Sequence, residues 1–176
     1  MKKVLVVIDM QNDFIDGSLG TKEALAIVEN VKNKIKSYPS EAVYATMDTH
    51  GKDYLSTQEG RMLPVEHCIE GTDGWNIRPD IHELLKDSTI CAKPTFGCWY
   101  LPDILRQNQD LEEVEIIGLC TDICVVSNAL LIKAAMPEVK ISVDASCCAG
   151  VTPEKHLAAL ETMRSCQINV TGYLFL

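Results

Sequence analysis

The stretch VEIIGLCTDICVVSNALLIKAAM, from Val114 to Met136, decides the fold. Val114 to Leu119 is short, apolar and rich in β-branched residues, the pattern of a buried strand. Val125, Ala129, Ile132 and Met136 recur at three- to four-residue spacing, which predicts a helix. A tight turn, Gly118 to Cys124, joins the two, and Thr121 or Asp122 offers a side-chain oxygen to cap the helix. Cys124 then falls in the first helical turn, where free backbone N–H groups and the positive end of the helix dipole favour a thiolate. The same N–H groups suit the oxyanion that forms when sulfur attacks a carbonyl. The residue also reads as an inert core cysteine, because free Cys is commonly buried.

Outward from this unit, strand and helix patterns alternate. Lys3–Ile8 is a continuous apolar run of the kind buried on both faces of a parallel sheet, and it ends at Asp9. Leu25, Val28, Val31 and Ile35 mark an amphipathic helix within Thr21–Ser37. Glu41–Met47 reads as the second strand and Ser88–Ala92 as the third. Lys93-Pro94 ends the third strand, since proline biases its predecessor towards extended backbone and cannot donate to a ladder. Pro79–Lys86 and Leu101–Gln109 read as helices, Val139–Val143 as the fifth strand and Asp144–Gly150 as a loop. Thr152-Pro153 opens a helix, with proline at its first position, that runs to about Ser165. Ile168–Val170 reads as a short last strand and Thr171–Leu176 as a tail. The alternation predicts an α/β fold: a three-layer α/β/α sandwich around a mainly parallel six-stranded sheet. No repeat or linker interrupts it, so residues 1–176 are expected to form one domain.

Bulk properties exclude several classes. The 176 residues are 47% hydrophobic, with a formal charge of −9. No basic run exists beyond Lys2-Lys3, which argues against a nucleic-acid surface. Val4–Ile8 is too short for a signal-peptide core or a membrane span, which points to a cytoplasmic protein without membrane contact. The eight cysteines are then expected as reduced thiols. Cys147-Cys148 fits no common zinc spacing, and Cys120/Cys124 lack a second pair, so neither suggests a structural zinc site.

The chemistry-bearing residues cluster at strand ends. In open α/β sheets the carboxyl ends of strands face the ligand crevice, so Asp9 is a candidate inward-pointing acid, or else a turn cap. The irregular segment from Asp48 to about Pro79 is long enough to suggest function. It holds Asp48, His50, Asp53, Glu59, Glu66, His67, Glu70 and Asp73, a mixture that suits zinc, iron or manganese, or simply a solvated acidic loop. Lys93, at the end of a strand, would lower the pKa of a nearby thiol; alone it is an ordinary surface lysine. The aromatic cluster Thr95 to Tyr100 suits a small-molecule pocket or core packing. If strands one, three and four are neighbours, acid, lysine and thiol meet at one edge, as nucleophilic catalysis requires.

On these residues the chain resembles the isochorismatase-like cysteine hydrolases, and within them the nicotinamidases, over nearly its whole length. The first signature stands as Asp9-Met10-Gln11-Asn12-Asp13-Phe14. The nucleophile signature stands as Gly118-Leu119-Cys120-Thr121-Asp122-Ile123-Cys124-Val125, with Lys93 between them. The resemblance implies an Asp9–Lys93–Cys124 triad, a cis peptide before Cys120, and an oxyanion hole from the N–H groups of Cys120 and Cys124. It implies a divalent metal, zinc first and iron or manganese otherwise, on Asp48, His50 and His67. Glu59 would be a fourth ligand, because the histidine usual soon after D-x-H is missing. It implies a small aromatic carboxamide substrate, nicotinamide above all, with Phe14, Leu63, Phe96 or Trp99 lining a ring slot. A homo-oligomer is implied too. The alternatives within the resemblance are an isochorismatase, an N-carbamoyl amidase and a non-catalytic small-ligand-binding relative.

Overall fold

In a computed structural model, which describes residues 2–172, six strands form one sheet. They are β1 (Lys3–Ile8), β2 (Val43–Asp48), β3 (Thr89–Lys93), β4 (Glu113–Leu119), β5 (Lys140–Ala149) and β6 (Asn169–Thr171). Their order is β3-β2-β1-β4-β5-β6, and every pairing is parallel. The apolar run of β1 explains its central place. Val4, Val6 and Ile8 enter one core, while Leu5 and Val7 enter the other, as period-two alternation requires.

The helices are α1 (Asn12–Ile15), α2 (Lys22–Ala26), α3 (Val28–Lys36), α4 (Gln58–Met62), α5 (Pro79–His82), α6 (Leu101–Leu105), α7 (Val126–Ala135) and α8 (Pro153–Ser165). Helices α2, α3 and α5 cover the Leu5/Val7 face; α6, α7 and α8 cover the other. Each fully buried Leu or Ile in these layers contributes roughly 1.5–3 kcal/mol. Among the described residues no helix is long and apolar enough to cross a membrane.

Several expected boundaries move. The single helix expected over Thr21–Ser37 breaks at Ile27, so Ala24 and Ile27 turn inward and Leu25 is 49% exposed. The helix expected to reach Gln109 ends at Leu105. The expected Asp144–Gly150 loop belongs mostly to β5, which runs on to Ala149. Its second half pairs Cys148 with Gly118 and Ala149 with Leu119 after a register shift. Small and polar side chains hid this extension: Asp144 meets Lys34 at 2.7 Å and accepts from the Ser146 hydroxyl at 2.6 Å. The expected tail lies outside the described residues from position 173 onward.

Gly118 is where two strands come closest. It sits opposite Ile8, at φ +116°, and a Cβ there would lie 2.1 Å from the Ile8 carbonyl oxygen. Only glycine accepts that contact and that backbone angle together. Gly118→Ala should therefore lower stability by at least about 2 kcal/mol, read as a fall in urea midpoint. An unchanged midpoint would show that β1 and β4 can separate at no cost.

Candidate active site

The carboxyl edge of the sheet gathers the reactive side chains. β1 gives way to Asp9, whose φ of +46° is tolerated by an aspartate. β4 leads into the Cys124 turn beside it. β3 is not a neighbour of β1: β2 lies between them, and Asp48 at its end pairs in register with Lys93. The lysine side chain bridges the gap. Its Nζ lies 2.7 Å from Asp9 Oδ2 and 3.3 Å from Asp48 Oδ1, and it donates to Thr95 O at 3.1 Å and to Cys124 Sγ at 3.6 Å. Thr46 donates its hydroxyl to Asp9 Oδ1 at 2.6 Å.

The nucleophile turn differs from the expected cap. The Leu119–Cys120 peptide is cis, Cys120 is extended, and Thr121–Val125 forms a single π-turn before α7. Neither Thr121 nor Asp122 caps the helix. Thr121 Oγ1 pairs with His156 Nδ1 at 2.7 Å, and Asp122 Oδ1 accepts from Val151 N at 2.9 Å. Both bolt the turn to the corner between β5 and α8. Asn128, fully buried, donates to Cys124 O at 2.8 Å and Phe96 O at 3.0 Å, and accepts from Cys98 N at 2.9 Å. It ties Cys124 to the aromatic loop. A polar residue on an apolar helix face was its only sequence signal.

Burial changes the expected thiol chemistry. It pushes the Cys124 thiol well above its ordinary value, with Asp9 adding to the rise and Lys93 opposing it. Burial also raises the Asp9 carboxyl, against the pull of Lys93. Burial would discharge Lys93, but Asp9, Cys124 and Asp48 hold it firmly protonated. Burial thus works against the thiolate expected from the helical turn, while the Lys93 ammonium, 3.6 Å from the sulfur, favours it.

Asp48, His50, Glu59 and His67 converge alongside. One donor atom from each lies within 4.8 Å of all the others. His50 Nε2 is 2.9 Å from Asp48 Oδ2 and 3.6 Å from Glu59 Oε1; His67 Nε2 is 3.6 and 3.8 Å from the same two atoms. A tetrahedral ion with bonds of about 2.0–2.2 Å needs donors about 3.3–3.6 Å apart, and the separations of 2.9–3.8 Å here bracket that range. His67 Nδ1 donates to Val65 O at 2.9 Å, which leaves Nε2 free to ligate. Burial opposes the charge on Asp48, but His50, His67 and Lys93 outweigh it and hold its carboxyl well below the usual range. Tyr54, fully buried, packs its ring 4.7 Å from His50 and 5.0 Å from His67.

One narrow cavity touches both clusters. Asp48, Glu59, His67, Cys120 and Cys124 line it, with Phe14, Leu63 and Phe96. Leu19 and Ile123 also line it, and nothing in their sequence context singled them out. Trp99, expected in the ring slot, is not in this wall: it is 70% exposed and stacks edge-on against Tyr100.

Comparison with known proteins agrees with the layout. A family model for the isochorismatase domain matches residues 3–173. The nicotinamidase/pyrazinamidase of Mycobacterium tuberculosis is 27% identical over 96% of this chain and 97% of its own length. The nicotinamidase of Schizosaccharomyces pombe is 26% identical, over 94% of this chain and 91% of its own. The crystal structure of the pyrazinamidase of Pyrococcus horikoshii in complex with zinc has a TM-score of 0.84 at 28% identity, covering 98% of this chain and 100% of that one.

Because the thiol is held protonated beyond its ordinary value of 9.0, alkylation should climb with pH. Iodoacetamide labelling of the Cys124 peptide, followed by mass spectrometry, should accelerate from about pH 6 to about pH 9 without a plateau. A plateau near neutrality would mean that Lys93 outweighs burial.

Proposed function

The chain belongs to the isochorismatase family, and from that premise we propose that it is a cysteine-dependent amidohydrolase for a small aromatic carboxamide. Nicotinamide, hydrolysed to nicotinate and ammonia, is the substrate we assign first. The observation that carries this reading is that one cavity is walled by both Cys124 and three members of the four-donor cluster, Asp48, Glu59 and His67. The printed activities of the relatives support it, as does the zinc in the Pyrococcus structure.

In this mechanism Cys124 Sγ attacks the carboxamide carbon while its proton passes to Asp9, whose carboxyl shares the Lys93 ammonium with the sulfur. Lys93 stays protonated and balances the charge that accumulates on Asp9 and sulfur. The N–H groups of Cys120 and Cys124 would receive the oxyanion, where one lost donor typically costs about 10²–10³ in rate. Asp9 returns the proton to the amide nitrogen, because ammonia leaves readily and amide anion does not. Water then enters, Asp9 takes one of its protons, and the thioester opens to carboxylate and free thiol. Phe14, Leu63 and Phe96 flank the ring. A divalent ion on Asp48, His50, Glu59 and His67, zinc or else iron or manganese, would supply a Lewis-acid anchor for a ring nitrogen.

Purified zinc-loaded protein should release ammonia from nicotinamide. Cys124→Ala should reduce turnover by at least about 10⁴-fold. His50→Ala should lose bound metal, measured by elemental analysis, and raise KM more than it lowers kcat. No ammonia from metal-loaded protein whose Cys124 still alkylates would sink the nicotinamide reading and redirect the search to isochorismate and N-carbamoyl amides.

A further inference from the structure

Gln11 and Asp13 of the first signature have no part in the mechanism above. Neither is placed to touch substrate, yet both make specific long-range contacts. Gln11 is fully buried. Its amide pairs with both main-chain polar atoms of Asp48, accepting from the N–H at 2.7 Å and donating to the carbonyl at 2.8 Å. The same amide nitrogen donates to Trp75 O at 2.8 Å. Asp13 Oδ2 accepts from Cys68 N, directly after His67, at 2.8 Å, while Oδ1 accepts from Ser18 N at 3.2 Å. Asp13 is also closely walled, since a Cβ on Gly74 would lie 2.1 Å from its Oδ2.

These contacts fall on the two segments that carry Asp48, His50 and His67 of the four-donor cluster. One segment runs Asp48–His50 and the other surrounds His67. Backbone bonds from His50 N to Cys68 O at 3.0 Å and from Glu70 N to His50 O at 2.9 Å join the segments, and the His50 and His67 rings meet edge-on at 4.9 Å. The loop between them has no periodic pattern of its own to fix the separation of Asp48 Oδ2 from His67 Nε2. Gln11 and Asp13, two residues apart on one short rigid stretch behind Asp9, grip both sides.

We infer that Gln11 and Asp13 are positioning residues that set the spacing of the donor atoms in the Asp48–His50–Glu59–His67 cluster and thereby its affinity for a divalent cation. The inference rests on the cation-site reading given above. Through the same stretch the cluster's position is tied to Asp9, so ion and acid are held in register across the cavity.

The test is zinc affinity, measured by competition with a chromophoric chelator, in wild type, Gln11→Ala, Asp13→Ala and Glu115→Gln. Glu115 serves as a stability control. It lies at the opposite end of β4 and is bound by Lys34 and Tyr38, away from the cavity. Gln11→Ala and Asp13→Ala should each weaken zinc binding about 10–100-fold. Glu115→Gln should leave it within about twofold, although it lowers the melting temperature of metal-free protein. Zinc affinity within about twofold of wild type in both alanine variants would overturn the inference. So would equal weakening by Glu115→Gln, which would mark a general loss of stability. Absence of zinc binding by wild type would overturn the cation-site reading itself, a result distinct from the other two. Should an alanine variant fail to fold, Gln11→Met and Asp13→Asn keep the side-chain volume, remove part of the hydrogen bonding and are read by the same criterion.

Discussion

A lysine ammonium with almost no solvent access dictates the arrangement of this site. Lys93 is 1% exposed. An isolated ammonium in such surroundings costs several kcal/mol, even after local relaxation. Its charge is met by Asp9 from one strand end and Asp48 from another, with the Thr95 carbonyl and the Cys124 sulfur completing the shell. Asp48 divides its oxygens. Oδ1 faces Lys93, and Oδ2 faces His50 and His67. One carboxylate therefore belongs to both clusters, and neither can be rearranged without disturbing the charge balance of the other.

The parallel sheet makes this sharing possible. With all six strands pointing one way, every strand end opens on the same edge. β2, between the strands of the acid and the lysine, supplies the common carboxylate. Gly118 lets β4 press against Ile8 as the chain leaves the sheet, which delivers the nucleophile turn beside Asp9. From there Thr121 and Asp122 tie the turn to the corner between β5 and α8, and Asn128 ties it to the aromatic loop. Side-chain hydrogen bonds, in place of a helix cap, tie the turn to its surroundings.

Much of this was legible in the sequence wherever the signal was local. The apolar run of β1, the helical spacing of Val125, Ala129, Ile132 and Met136, and Pro153 at a helix start all report short-range periodicity or backbone preference, and each appears in the structure. The continuation of β5 was hidden because its last residues are small and polar, and its pairing with Gly118 and Leu119 is a long-range event. The break at Ile27 was hidden because no Gly or Pro marks it. The four clustered donors follow no regular spacing at 48, 50, 59 and 67. Gln11 and Asp13 reach their neighbourhood by hydrogen bonds from 37 and 55 residues away in the sequence. The resemblance supplied those positions; periodicity could not.

The state of the thiol shows where a local rule gives way. A cysteine in a helical turn beside a lysine reads as a thiolate, because dipole and cation both favour negative charge. Complete burial reverses that, since removing sulfur from water penalises the anion more than either partner repays. The reversal suits the proposed chemistry. An amide needs a proton on its leaving nitrogen as much as it needs a nucleophile on its carbon. A thiolate formed in advance would have lost its proton to solvent, and the leaving group would have to find another. In the proposed mechanism a thiol that surrenders its proton to Asp9 only as the carbon–sulfur bond forms keeps that proton at hand for the leaving nitrogen. Lys93 lets the carboxyl accept it without being forced to keep it: the ammonium stabilises the carboxylate, and burial stabilises the acid. The opposition of those two effects, rather than either alone, poises Asp9 to carry the proton in both directions.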